Sequence, residues 1–174
     1  MPLEISDRDW SDAEKAILEY GKARLRFREA QHRLEPCKLL SGNDNKVGIA
    51  GEFWAKRLFK DRGWLLDEVP SGNNSGYDLI IRKGSRRRHV SVKAVSDESK
   101  SGKQVQMRAN ARWDFLLLVL LSDTLQPYRY GLVTRHQYKA AIKAGSVGRQ
   151  PRVSRSWLGD GGWLYKYGEV KDWK

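Results

Sequence analysis

The seven-residue run Phe115–Leu121, FLLLVLL, is apolar in every register. A strand with two apolar faces must be covered on both, as the central strands of layered α/β proteins are. The run therefore predicts the middle of a sheet with helices on each side. At 174 residues and 40% apolar content, the chain has the length of one domain and can bury one substantial core.

Around this strand the punctuation is regular. Ser11 and Glu14 have capping-box spacing, and Ala16, Ile17, Tyr20, Ala23, Leu25, Phe27 and Ala30 predict one long, densely charged helix ending before Pro36. A second helix is expected over residues 45–61, ended by Gly63. Residues 64–69 read as a short strand, and 70–76 as a turn. Residues 77–81 and 89–95 then predict a hairpin folded near 84–88. Residues 104–112 are expected as a short helix and 130–133 as a strand. Thr134 should cap a helix through Ala144 that ends at Gly145. The remainder, rich in Arg, Trp and Tyr, reads as a hairpin or an ordered surface tail.

Charge narrows the choice of partner. Lys and Arg total 33 against 21 acids, a formal net charge of +12, and the pI of 9.9 points to a polyanion. No run reaches the length of a membrane span, and residues 1–10 carry acids where a signal peptide needs a basic and then an apolar stretch. A soluble, cytoplasmic protein with no membrane partner is expected. Cys37 is the single cysteine and cannot form an internal disulfide, and no Cys/His spacing around His32, His89 or His136 suits structural zinc.

The second predicted helix carries an acid in an unusual place. Glu52 shares a stripe with Gly48, Ile49, Ala55 and Phe59, while Val47, Trp54 and Leu58 form a second apolar face. A lone acid aimed at packed structure is either a buried hydrogen-bonder or a site carboxylate, because an unpaired buried charge is costly. On the hairpin, period-2 alternation puts Ser91 and Lys93 on one face with His89, and the turn brings Asp78 close.

This order of helix, three short strands, helix and central strand resembles the PD-(D/E)XK nuclease superfamily over roughly residues 48–133. The matching residues are Gly51-Glu52 with Ala55 and Leu58, Gly63-Trp64, Gly76-Tyr77-Asp78-Leu79-Ile80 and Ser91-Val92-Lys93. The resemblance implies a mixed-sheet α/β fold with a restriction-endonuclease-like αβββαβ core and an added N-terminal helix. Residues 1–40 would be a helical arm packed on the core, 41–145 the nuclease core, and 146–174 a basic, aromatic-rich extension of the same domain. It implies a Mg²⁺-dependent endonuclease acting on DNA, with Mn²⁺ as a substitute cation, RNA as the other possible substrate, and a homodimer as the expected assembly. Glu52 and Asp78 would supply metal oxygens, the Val92 carbonyl another, and Lys93 would orient the attacking water and stabilise phosphorane charge.

The pattern departs from the superfamily at Ser91, which stands where an acid is usual two residues before the lysine. Asp67, Glu68 and Glu98 are candidates to help Glu52 make up the missing charge. Gln106 resembles a helix glutamine that in several nuclease branches contacts the site or DNA. The same departure motivates the alternative, a catalytically decayed nucleic-acid-binding module on this scaffold. Independently of the resemblance, Arg86, Arg87 and Arg88 at the predicted hairpin tip, Lys100 and Lys103 in the next loop, and Arg149, Arg152 and Arg155 form basic patches suited to backbone phosphates.

Overall fold

The computed structural model describes residues 5–34, 46–67, 69, 76–97, 105–106, 112–147 and 152–173. Helices α1 (Asp7–Leu34) and α2 (Lys46–Asp61) lead into strands β1 (Leu65–Asp67), β2 (Leu79–Lys83) and β3 (Arg86–Ser96). Then come β4 (Val105–Gln106), β5 (Phe115–Leu121), β6 (Pro127–Thr134) and helix α3 (Arg135–Lys143). The chain finishes with β7 (Arg152–Val153), a 3₁₀ turn (Arg155–Leu158), α4 (Trp163–Tyr167) and β8 (Glu169–Asp172).

Six strands form one mixed sheet in the order β1-β2-β3-β5-β6-β8, and β4 pairs separately with β7. Only the β3–β5 pairing is parallel within the six-stranded sheet. The apolar run lies in β5, where Leu116, Leu118 and Leu120 pack on one side and Leu117, Val119 and Leu121 on the other. The first side is covered by Tyr138 and Ala141 of α3 with Trp157, Leu158, Trp163 and Leu164, the second by Trp10 of α1 with Trp54, Ala55 and Phe59 of α2. Two-sided cover is what the sequence of this strand demands.

Local signals explain most boundaries. Gly63, with φ of +75°, ends α2, and its N–H donates to the Lys60 carbonyl at 2.8 Å. Thr134 caps α3 reciprocally with Gln137. Helix α1 begins a turn before the expected Ser11: Ser6 Oγ accepts the Asp9 N–H at 3.2 Å, and Asp9 Oδ2 accepts the Ser6 N–H at 3.1 Å. Both serines have cap spacing, but the earlier start brings Trp10 into the helix, where it is buried beside Phe53.

Three other expectations are corrected. The hairpin turns at Gly84-Ser85, so Arg86, Arg87 and Arg88 are the opening residues of β3, paired with Lys83, Arg82 and Ile81, and do not form a loop tip. Gln106 lies on strand β4 where a helix was expected, because Val105 faces Val153 across a two-residue antiparallel ladder that satisfies the backbone locally. The C-terminal residues build sheet and core: β8 pairs with β6, and Leu158 and Leu164 close over Gly131, where a Cβ would come within 2.9 Å of Leu164 Cδ1. No helix among the described residues is long and apolar enough to cross a membrane.

Candidate active site

β2 pairs with β3 only as far as Leu79 opposite Val90, and the Asp78 N–H closes the ladder on the Val90 carbonyl at 2.8 Å. Beyond this fork, β3 continues beside β5 alone, through Ser96. Backbone groups on the edge vacated by β2 need other partners, and side chains provide them. Asp78 Oδ2 accepts the Val92 N–H at 2.6 Å and the Ser91 hydroxyl at 3.4 Å. Lys93 Nζ donates to the Val92 carbonyl at 2.9 Å and lies 3.6 Å from Asp78 Oδ2. The lysine side chain is 19% exposed and the aspartate 30%, so the pair is shielded yet open to small solutes.

Glu52 arrives from the helix. α2 approaches β3 closely because Gly51 has no side chain, and a Cβ there would overlap the Ala94 methyl. The next residue, Glu52, is half-buried and within electrostatic reach of Asp78, Lys93 and Lys56. Burial first, and then the like charge of Asp78, push its carboxyl above the ordinary glutamate range, while the two lysines oppose the shift.

A raised carboxyl binds its proton more tightly folded than unfolded. Its ionisation therefore removes stability as pH rises from the unfolded value through the folded one. With divalent ions chelated, Glu52→Gln is expected to melt above wild type at neutral pH, the difference vanishing in acid. Thermal melts across that range check it, and a variant that melts below wild type at neutral pH contradicts the arrangement.

Of the residues singled out in sequence, Asp78, Ser91, Val92 and Lys93 meet at this fork, and Glu52 lies within electrostatic range of Asp78 and Lys93. The basic residues do not. Arg87 is six residues up β3 from Lys93, roughly 20 Å along a strand, and joins Arg82 in pairing with Asp67. Asp67 is thereby occupied at the sheet edge. Arg155 donates to the Ser96 carbonyl and pairs with Asp97 at 3.1 Å, tying the C-terminal segment to the end of β3. Arg86 is exposed, and Arg88 donates to the Arg87 carbonyl at 3.1 Å. Only the backbones of Gln106 and Arg152 are described, paired with each other across β4 and β7. Lys100, Lys103, Arg149, Glu68 and Glu98 lie outside the described residues.

One neighbour is not evident from sequence. Asp114 accepts the His89 N–H at 2.8 Å and lies 3.6 Å from His89 Nδ1, while the Tyr77 and His89 rings stack with centroids 4.3 Å apart. The position of Asp114 just before an apolar strand gives no hint of that pairing.

The donor set has a definite chemistry. Two carboxylates and a backbone carbonyl are oxygen ligands, and Mg²⁺ is held by one or two carboxylates while keeping several waters. Among the described residues no group of three or more His, Cys, Asp or Glu side chains gathers in a metal-binding arrangement. The mutual repulsion of Glu52 and Asp78 is what a cation between them would relieve.

No protein-family model matches the chain, and no curated protein matches it. Among solved structures, the chain is similar to a bacterial homing endonuclease, with 17% identity and a TM-score of 0.44 over 73% of this chain and 89% of that one.

Proposed function

We propose that this chain is a divalent-cation-dependent endonuclease of the PD-(D/E)XK kind that hydrolyses phosphodiester bonds in DNA. The observation that carries the reading is the contact of Asp78 and Lys93 with each other and with the Val92 backbone at the fork where β2 leaves β3, with Glu52 within electrostatic range. An antiparallel β1-β2-β3 meander followed by a parallel β5, with α2 packed on β3, supports it through the αβββ part and the next strand of that arrangement; among the described residues the segment between β3 and β5 holds β4 and not the expected helix. The net charge of +12 supports a polyanionic substrate. In this reading residues 1–40, 41–145 and 146–174 are an arm, a core and an extension of one unit.

Asp78, Glu52 and the Val92 carbonyl would hold Mg²⁺, with Mn²⁺ as substitute. Bound there, the cation neutralises phosphate charge and lowers the pKa of an attacking water. The protein's own part is positional and electrostatic. The Val92 N–H fixes the Asp78 carboxylate against the strand edge, and Asp78 in turn holds the Lys93 ammonium beside the Val92 carbonyl. A compact ammonium at that point orients water and stabilises charge developing on the phosphoryl oxygens.

Ser91 tests the reading. It is 4% exposed, with its hydroxyl 3.4 Å from Asp78 Oδ2, in the position where the superfamily places an acid. Ser91→Asp adds a buried carboxylate beside another. The variant is expected to melt below wild type in EDTA and to bind Mg²⁺ at least about tenfold more tightly, a gain of about 1.4 kcal/mol. Calorimetry reads both proteins. Mg²⁺ binding by wild type that strengthens in the variant fits an active site, whereas binding by the variant alone identifies a decayed nucleic-acid-binding module.

A further inference from the structure

The long first helix divides its charge in two. Residues 7–20 carry five acids and two bases, whereas residues 21–34 carry Lys22, Arg24, Arg26, Arg28 and Arg33 against Glu29 alone. The acids of the first half are used on α2: Asp7 pairs with Lys60 at 2.7 Å and Glu14 with Arg57 at 3.3 Å. Together with Trp10 against Phe53, these contacts seat the first half of α1 on α2. Gly21 lies hard against the Thr124 carbonyl in the β5–β6 turn.

Beyond that point α1 continues for 13 residues, about 20 Å. Arg24, Leu25 and Arg28 on one side of this stretch are half-buried, and the opposite side faces solvent. On it Lys22 and Arg26, one helical turn apart, are exposed, and Phe27 beside them is 48% exposed.

We propose that residues 22–29 form a basic arm, seated on the body by one side, whose other side grips the phosphate backbone of the nucleic acid bound at the fork, without reading its sequence. The inference rests on the nuclease reading. Exposed cations with an adjacent aromatic ring fit a strand that offers both phosphates and π faces. Self-pairing of two such arms would instead bring Lys22 and Arg26 of both copies together, like charge against like.

The test measures binding of a fluorescein-labelled DNA duplex by anisotropy in EDTA over a series of NaCl concentrations. Wild type is compared with K22Q/R26Q and the charge-conserving K22R/R26K, with thermal melts confirming folding. The plot of log affinity against log salt is expected to flatten by about 1.8 in K22Q/R26Q, two contacts at roughly 0.9 each, and to stay at the wild-type slope in K22R/R26K. An unchanged slope in K22Q/R26Q overturns the arm, as does a change confined to oligomeric state by light scattering. Because EDTA prevents cleavage, the two readings separate. Flattened binding with no cleavage in Mg²⁺ removes the nuclease and keeps the arm, while cleavage with an unchanged slope removes only the arm.

Discussion

Lys93→Ala is expected to lower Mg²⁺-dependent DNA cleavage by about 10²–10³-fold, the usual cost of deleting one electrostatic stabiliser. Its Mg²⁺ affinity should not fall, and should rise, because the Lys93 ammonium now occupies the Val92 carbonyl and pairs with Asp78, two of the oxygens a cation would use. Asp78→Ala should lose both cleavage and metal binding. It also orphans the Val92 N–H, at about 1–3 kcal/mol of stability, so Asp78→Asn is the cleaner variant: its amide oxygen still accepts that bond while the charge is gone. Single-turnover rates with calorimetry on the same preparations separate the roles. A Lys93→Ala protein that cleaves at the wild-type rate would remove the lysine from the chemistry.

Gly51→Ala carries the largest structural effect. The new methyl must overlap that of Ala94, forcing α2 away from β3. Overpacking of this kind costs about 1–3 kcal/mol, which the helix preference of alanine offsets by up to about 1. Because Glu52 is the next residue, the same displacement carries it away from Asp78 and Lys93, and cleavage should fall with stability. Adding Ala94→Gly removes the overlapping atom. The double variant is expected to be more stable and more active than Gly51→Ala alone, with a coupling of about 1–3 kcal/mol. Denaturant melts of the four proteins in the cycle check this, and purely additive changes would mean that the helix is not seated on this contact.

The difference between what is legible in the chain and what is not follows the range of the forces. The central strand announces itself because its requirement, apolar cover on both faces, is written in seven consecutive residues. The ends of α2 and α3 are set by Gly63, Thr134 and Gly145, whose effects are local. The second core layer is not legible in this way. Trp157, Leu158, Trp163 and Leu164 sit in helical fragments too short to show a period, and Gly131 on a distant strand makes room for Leu158 and Leu164. The expected helix around Gln106 failed for a similar reason, since its partner Arg152 lies far along the chain.

At the site, alternation on β3 places Ser91 and Lys93, and the helical wheel turns Glu52 inward. Neither says what Glu52 meets. That depends on the missing side chain of Gly51 and on the fork after Val90, where β2 ends and Asp78 takes over the strand edge. The triplet Arg86-Arg87-Arg88 shows the opposite case. It reads as a hairpin tip, yet its three residues lie within the β2–β3 ladder, and Arg87 reaches Asp67 while staying exposed.

The most direct measurement is the conversion of supercoiled plasmid to nicked or linear DNA by the wild-type protein in Mg²⁺ or Mn²⁺, beside EDTA and the Lys93→Ala variant. Cleavage is predicted with either cation, absent in EDTA and strongly reduced in the variant. Plasmid left intact by folded wild-type protein in both cations, or cut equally well in EDTA, would contradict a cation-dependent phosphodiester site at the β2–β3 fork.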